Sequence, residues 1–114
     1  MANKRSVGAA YEALAAEFLK KKGYKIVQQN FRCGLGEIDI IAGKDGMLCF
    51  VEVKYRKSDA YGYPEEAVSP RKQATIRKVA EVYLTYHKFP LDTPCRFDVI
   101  GISGKEIRHS INAF

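Results

Sequence analysis

Four charged residues interrupt two apolar runs in the segment GEIDIIAGKDGMLCFVEVKYR, residues 36–56. Glu37 and Asp39 stand in the first run, and Glu52 and Lys54 stand in the second. If each run is a strand, alternate side chains point to the same face, so each pair shares a face. Carboxylates gathered beside an ammonium group predict either a site for a hard divalent cation or a network of ion pairs.

The Asp45-Gly46 dipeptide between the two runs is typical of a tight hairpin turn, in which both central residues have positive φ. Counting back from this turn sets Asp39 directly opposite Glu52. The same register sets Glu37 opposite Lys54. Two ionised carboxylates about 5 Å apart repel by about 3 kcal/mol at an effective dielectric constant of about 20. A shared proton, the lysine or a divalent cation is therefore expected to offset this repulsion.

Two interpretations of the hairpin stay open on spacing alone. In the first, an oxygen-only cluster binds Mg²⁺ or Mn²⁺, which favour carboxylate and water ligands. In the second, Lys54 neutralises Glu37 and Glu52 in a ladder of ion pairs on an exposed face. Leu48 and Phe50 share the face of Glu52, and this favours the first interpretation because charges among apolar residues are costly unless they serve a purpose.

The remaining sequence predicts the elements that would position these residues. Periodicity and end signals predict a helix capped by Ser6 over residues 7–23, a strand over 24–32, the hairpin over 36–56, a polar loop over 55–68, a helix over 69–87 with Ser69 as its cap and Pro70 first, and strands over 95–102 and 106–114. The order α-β-β-β-α-β-β predicts one α/β domain over residues 1–114, with a mixed central sheet flanked by helices. The residues expected to face the sheet are Leu14, Phe18 and Leu19 from the first helix, and Ile76, Val79, Ala80, Tyr83 and Tyr86 from the second.

Glu12 lies beside the apolar stripe of the first helix, among the small residues Gly8, Ala9, Ala15 and Ala16. Small side chains let a helix approach a sheet closely. Glu12 is therefore predicted either to reach the cation site, directly or through water, or to be a solvated helix residue.

Composition narrows the class of protein and of partner. Hydrophobic residues make up 46% and charged residues 28%, which is typical of a folded domain and not of a disordered chain. The net charge of +6 predicts a polyanionic partner or merely a basic surface. No apolar run approaches the ~20 residues that span a bilayer, and the N-terminus lacks an apolar signal core, so a cytoplasmic location is expected. Three dispersed cysteines without metal-ligand spacing fit reduced thiols.

Five segments occur in an order that resembles a known family. They are GxxYE at 8–12, GEIDII at 36–41, FVEVKYR at 50–56, SPRKQ at 69–73 and RFDVIGI at 96–102. This ordered set is similar to the bacterial YraN-like family of predicted endonucleases. That family is distantly related to archaeal Holliday junction resolvases within the PD-(D/E)XK nuclease superfamily.

The resemblance implies a restriction-endonuclease-like core and hydrolysis of DNA phosphodiester bonds that depends on Mg²⁺ or Mn²⁺. The implied site residues are Asp39, Glu52 and the Val53 carbonyl as metal ligands, Glu12 as a residue acting through water, Lys54 as the residue that orients or activates the attacking water, and Gln73 as a match to a glutamine found near the site in many of these nucleases. Resolvases cut two strands symmetrically as two-fold dimers, so the resemblance also implies a homodimer.

Basic and aromatic residues around this segment are candidates for holding nucleic acid. Basic side chains position the nucleic acid backbone without reading sequence. Tyrosine rings can stack on unpaired bases. The basic candidates are Arg56, Lys57, Arg71, Lys72, Arg77 and Lys78, and the aromatic candidates are Tyr55, Tyr61 and Tyr63. For each of them a solvated surface position is the alternative.

Three functions agree with these observations. The first is a metal-dependent nuclease that acts on structured or branched DNA in repair or recombination. The second is a non-catalytic nucleic-acid-binding accessory module with a vestigial nuclease site, and the third is an interaction domain whose hairpin carries an ion-pair ladder. The presence of Asp39, Glu52 and Lys54 together favours the first. The choice between DNA and RNA stays open.

Overall fold

The computed structural model describes residues 4–57, 62–90 and 92–114. The elements are α1 (Lys4–Lys21), β1 (Lys25–Cys33), β2 (Gly36–Lys44), β3 (Met47–Arg56), a 3₁₀ turn (Pro64–Ala67), α2 (Pro70–Tyr86), β4 (Cys95–Ser103) and β5 (Glu106–Ser110). This order confirms the predicted α-β-β-β-α-β-β succession. None of the described helices is long and apolar enough to cross a bilayer.

The strands form one five-stranded sheet in the order β1-β2-β3-β4-β5. Neighbouring strands are antiparallel except β3 and β4, which are parallel. Two parallel strands must be joined by a long crossover connection, and the connection from β3 to β4 contains α2. The prediction of a mixed sheet with two helices is confirmed, and the arrangement is compatible with a restriction-endonuclease-like core.

Each face of the sheet is covered by one apolar cluster. On the α1 face, Ala15 and Leu19 pack with Val51 of β3. On the α2 face, Ile76 and Val79 pack with Phe50. Phe50 and Val51 are adjacent in β3, and their side chains point to opposite faces of the sheet. By the same alternation, Glu52 and Lys54 lie on the α2 face with Phe50.

The hairpin between β2 and β3 has the predicted turn and register. Asp45 has φ 52° and Gly46 has φ 77°, as a primed turn requires. Lys44 pairs with Met47, and the ladder continues in that register to Ile40 opposite Val51.

Helix α2 begins where the sequence predicts. Ser69 has extended backbone angles, and its Oγ accepts a hydrogen bond from the backbone N–H of Lys72 at 3.2 Å. Gly36, at the start of β2, lies so close to this helix that a Cβ atom there would stand 3.0 Å from Cγ2 of Thr75. The absence of a side chain at Gly36 therefore brings the first turns of α2 against β2.

Three helix predictions were wrong in detail. Helix α1 begins at Lys4, so Ser6 lies inside it rather than capping it. Leu14 is 50% exposed because α1 meets the sheet through the small residues Ala15 and Ala16, which turns Leu14 toward solvent. Tyr86 is 74% exposed at the last turn of α2.

The predicted loop over 55–68 is partly ordered structure. Its first two residues belong to β3, and Pro64–Ala67 form the 3₁₀ turn. Arg108 of β5 holds this turn: its Nε donates to Oε2 of Glu65 at 2.6 Å. Glu65 lies directly over Gly101 of β4, where any side chain would collide with it. Tyr61, a candidate for base stacking, lies outside the described residues.

Candidate metal-binding site

Asp39 and Glu52 meet on neighbouring strands in the interior of the protein. They are only 8% and 6% exposed. The backbone pairing of β2 with β3 stops at Ile40 opposite Val51. One step further, Oδ2 of Asp39 accepts a hydrogen bond from the backbone N–H of Val53 at 2.8 Å. The Asp39 carboxylate thus continues the ladder in place of the backbone and is fixed beside Glu52.

The electrostatics of this pair are unfavourable for two negative charges. Burial, a hydrogen bond with Asp39 and the charge of Asp39 together raise the pKa of Glu52 to about 8. Lys72 and Lys54 act in the opposite direction by lowering that pKa. Burial argues against the exposed ion-pair ladder, because a ladder of that kind requires solvated carboxylates.

Lys72 is the closest cationic partner of the pair among the described residues. Its Nζ lies 3.6 Å from Oε2 of Glu52. Lys72 was predicted only as a contact for the nucleic acid backbone, and its proximity to Glu52 was missed. The contact depends on how closely the first turns of α2 pack against β2, and no pattern within either segment carries that information.

Lys54 follows Glu52 by two residues in β3 and therefore lies on the same face of the sheet. It is half-buried, and its charge lowers the pKa of Glu52. Lys54 therefore lies near the carboxylate pair, and its role in a reaction stays a prediction.

Glu12 joins the site from α1. Burial and the charge of Asp39 raise the pKa of Glu12, whereas a hydrogen bond from Asn30 lowers it. Asn30 lies in β1 with φ 54°, a left-handed conformation that asparagine tolerates better than most residues. Asn30 was missed by the sequence reasoning. The only available signal was that a β-strand rarely contains asparagine without a local reason.

Glu37 and Gln73, two residues predicted near the site, have partners outside the carboxylate pair. The pairing of Glu37 with Lys54 was wrong: Oε2 of Glu37 accepts a hydrogen bond from Nε of Arg32 at 2.9 Å on the exposed side of β1 and β2. The reason is that the pairing of β1 with β2 extends to Gly36 at the start of β2, whereas the pairing of β2 with β3 stops at Ile40. The side chain of Gln73 donates to the Val68 carbonyl at 3.1 Å, so its catalytic role stays a prediction.

The donor set suits a hard cation with water ligands. Within the described ranges, no three histidine, cysteine, aspartate or glutamate side chains converge as a complete metal cluster. Two buried carboxylates that repel each other, with only oxygen donors, are nevertheless what Mg²⁺ uses, because it keeps several of its waters. The residues present therefore fit Mg²⁺ or Mn²⁺, with the Val53 carbonyl as the predicted third ligand.

The basic candidates occupy different environments. Arg71 and Lys72 line a groove of about 360 Å³ together with Ser69 and Thr75. Arg77 instead stacks on Phe97, with its guanidinium carbon 4.9 Å from the ring centroid. Arg56 and Lys57 stand at the end of β3, half-buried and exposed respectively.

The tyrosine candidates already have partners within the protein. The ring of Tyr55 stacks on that of Tyr11 with centroids 4.2 Å apart, on the α1 face. The guanidinium carbon of Arg108 lies 4.1 Å from the centroid of Tyr63. Stacking of bases on either ring stays a prediction, and one face of each ring is occupied.

A third buried carboxylate, Asp98 of β4, was not predicted from the sequence as a site residue. It is fully buried and accepts hydrogen bonds from Nε and Nη2 of Arg96, both at 2.9 Å. Nε2 of His109 lies 2.7 Å from its Oδ2, and the Asn112 backbone N–H donates to Oδ1 at 3.0 Å. Asp98 therefore ties the C-terminal segment to the sheet.

The sequence of the chain was compared with profiles of known protein families. The profile described as "Uncharacterised protein family UPF0102" matches residues 11–102. The chain belongs to the UPF0102 family. The matched range contains every predicted site residue, from Glu12 to the basic candidates of α2.

Individual UPF0102 proteins match over nearly the full chain. The one from Lachnoclostridium phytofermentans is 48% identical over 112 residues, covering 98% of this chain and 95% of the relative. The one from Caldanaerobacter subterraneus subsp. tengcongensis is 44% identical, with 98% and 97% covered. The one from Cytophaga hutchinsonii is 45% identical, with 88% and 87% covered. These matches confirm the resemblance to the YraN-like family.

Proposed function

We propose that this UPF0102 protein is a metal-dependent endonuclease that hydrolyses phosphodiester bonds in structured or branched DNA. The observation that carries the proposal is the Asp39–Glu52 pair. These two carboxylates are buried side by side without a full set of neutralising partners, at a cost in stability that a purely structural role does not repay.

Asp39, Glu52 and the Val53 carbonyl would hold Mg²⁺ or Mn²⁺. When bound, such an ion neutralises phosphoryl oxygens and lowers the pKa of a coordinated water. The hydrogen bond from the Val53 N–H fixes the orientation of the Asp39 carboxylate before any ligand arrives. That preorganisation is favourable because the chain does not have to rearrange during the reaction.

Lys54 supplies the chain's own contribution to the chemical step. Its ammonium lies on the same face as Glu52, where it would orient the attacking water and stabilise the negative charge that develops on the phosphorus-bound oxygens. Glu12, whose pKa is raised by burial and by Asp39, would accept a hydrogen bond from a water in the site. The Asn30 side chain, which hydrogen bonds to Glu12, would keep it oriented.

The substrate would lie along the basic side of this site. Arg71 and Lys72 line a groove next to the carboxylates, and Arg56 and Lys57 stand at the end of the strand that carries Glu52. With a net charge of +6, the chain favours a polyanion. The preference for branched DNA, the cytoplasm as the site of action and a homodimer that cuts two strands are extensions by family resemblance.

Cleavage of a panel of labelled DNAs tests the proposal. Duplex, flap, single-stranded and four-way-junction substrates would be incubated with Mg²⁺ or Mn²⁺ and, in parallel, with chelator. The wild-type protein is expected to cut at least one of them, and Lys54→Ala is expected to cut none. Glu37→Gln is the matched control: it removes a carboxylate from the same hairpin that pairs with Arg32 at the surface, and it is expected to cut like the wild type.

Two results would reject a nuclease. Binding of the panel without cleavage by either metal would favour the non-catalytic accessory module. Cleavage that survives both chelator and Lys54→Ala would point to a contaminating enzyme or to a different site.

A further inference from the structure

Lys72 stands between the carboxylate pair and the basic groove. Its Nζ is 3.6 Å from Oε2 of Glu52 on one side. Its side chain also lines the groove with Arg71, Ser69 and Thr75 on the other. No other described lysine forms an ion pair with Glu52 within 4.0 Å.

The Lys72–Glu52 contact is loose compared with other buried ion pairs of this protein. A distance of 3.6 Å exceeds the ~2.7–2.9 Å of a charge-assisted hydrogen bond. In contrast, Arg96 reaches Asp98 at 2.9 Å. The side chain of Lys72 is also 40% exposed, whereas that of Glu52 is 7% exposed. The Lys72 ammonium is therefore hydrated already, and it can move away from the Glu52 carboxylate at little cost in desolvation.

We propose that Lys72 and a divalent cation compete for Glu52, and that the displaced Lys72 ammonium then binds a phosphate of the nucleic acid backbone in the adjacent groove. The inference rests on the metal site of the proposed function. It makes Lys72 a coupling residue: metal binding at the carboxylates prepares a phosphate contact several ångströms away.

The positive charge of Lys72 determines whether its removal strengthens or weakens metal binding. An ammonium beside Glu52 repels an incoming divalent cation, and it repels that cation about twice as strongly as it repels a proton, because the interaction scales with the charge. Removal of the ammonium therefore strengthens metal binding more than it strengthens protonation. Lys72→Met is expected to bind Mn²⁺ roughly tenfold more tightly than the wild type.

A matched control exists on the same helix. Lys78 is exposed on α2 and lines a different pocket, with Glu81, Val82 and Tyr86. Lys78→Met removes the same charge with the same change of side chain, and its Mn²⁺ affinity is expected to stay within about twofold of the wild type, as screening by solvent predicts. Lys72→Arg retains the charge and is expected to restore weaker Mn²⁺ binding.

The second half of the test is the affinity for a labelled four-way junction, measured in chelator and in Ca²⁺. In chelator, Lys72 is engaged with Glu52, so Lys72→Met is expected to bind the junction as the wild type does. In Ca²⁺, the wild type is expected to gain affinity and one additional phosphate contact, seen as a steeper salt dependence by about one unit of slope. Lys72→Met is expected to lose that additional contact.

The outcomes separate the competing explanations. Tighter Mn²⁺ binding together with the loss of the Ca²⁺-dependent DNA contact establishes the competition. Equal loss of junction affinity in chelator and in Ca²⁺ overturns it, since Lys72 would then be a fixed phosphate contact. Weaker Mn²⁺ binding by Lys72→Met, with a lower melting temperature, also overturns it and assigns Lys72 a structural role. If neither wild type nor Lys72→Met binds Mn²⁺, the metal site and the proposed nuclease fail, and the competition fails with them.

Discussion

Two buried carboxylates on neighbouring parallel strands have opposite surroundings. Asp98 of β4 and Glu52 of β3 are 0% and 6% exposed. Burial alone would raise the pKa of Asp98, but hydrogen bonds from His109 and Arg96 outweigh it and lower that pKa to about 2. Burial, reinforced by Asp39, raises the pKa of Glu52 to about 8. Equal burial thus leads to opposite protonation because the partners differ.

This contrast separates a structural carboxylate from a candidate functional one. Each carboxylate oxygen of Asp98 has hydrogen-bond donors within the chain, so its negative charge is stabilised without a bound cation. Glu52 faces another carboxylate and has one ammonium at 3.6 Å. A buried acid whose environment favours a further cation is a candidate for binding one.

The largest expected effect on stability comes from removing Asp98, both of whose carboxylate oxygens accept hydrogen bonds within the chain. Asp98→Ala leaves Arg96 and His109 beside a cavity without their acceptor, so the free energy of unfolding should fall by about 3–5 kcal/mol. Urea unfolding at neutral pH measures this. Glu37→Gln, at an exposed ion pair, should change it by less than about 1 kcal/mol. If the two variants were equally stable, Asp98 would not be the structural group described here.

Substitution of Glu52 is expected to change stability in the opposite direction, by stabilising the protein. In chelator near pH 7, the folded protein binds a proton at Glu52 more tightly than the unfolded chain does, and this difference lowers stability. Glu52→Gln removes the ionisable group and should stabilise the chelated protein by up to about 3 kcal/mol at pH 7, because the unfolded carboxyl, with its ordinary pKa of 4.5, gains about 1.4 kcal/mol of ionisation free energy for each pH unit above that value. A destabilised Glu52→Gln protein would show that the acid contributes to the fold, as Asp98 does.

The pH dependence of stability should show both groups separately. The raised pKa of Glu52 contributes stability that is fully present below the ordinary pKa of 4.5 and is lost as pH rises toward about 8. The lowered pKa of Asp98 contributes stability that is present above 3.8 and is lost as pH falls toward about 2. Urea unfolding in chelator from pH 2 to 9 should therefore show an acid limb and a neutral limb.

The two variants assign these limbs. Glu52→Gln should flatten the fall between about pH 5 and 8 while keeping the acid limb, each limb having at most about 1.4 kcal/mol per pH unit for one proton. A neutral limb that persists in Glu52→Gln would have to come from another group.

The smallest effect is expected at Gln73, whose side chain donates to the Val68 carbonyl. Gln73→Ala should lower stability by about 1 kcal/mol, the usual net value of one hydrogen bond. If Gln73 only holds the start of α2, cleavage by the variant should remain within a few-fold of the wild type. Loss of cleavage as complete as that of Lys54→Ala would instead place Gln73 in the reaction.

Local chemistry explains what could be predicted from the sequence. The Asp45-Gly46 turn fixed the hairpin register, and through it the meeting of Asp39 with Glu52, because turn type and alternation act over a few residues. Ser69 and Pro70 gave the start of α2 for the same reason.

The missed features all depend on how distant elements pack. Lys72 reaches Glu52 only because Gly36 lets α2 approach β2 closely. His109 reaches Asp98 only because β5 returns antiparallel to β4. No periodicity within one segment encodes such a contact.

Titration of Mn²⁺ into the wild-type protein and into Asp39→Asn, followed by calorimetry, tests the central claim most directly. The account predicts that the wild type and the Glu37→Gln control bind Mn²⁺ with the same affinity, and that Asp39→Asn loses most of it while remaining folded. Equal binding by all three proteins, or no binding by any of them, would contradict the assignment of the Asp39–Glu52 pair as a metal site.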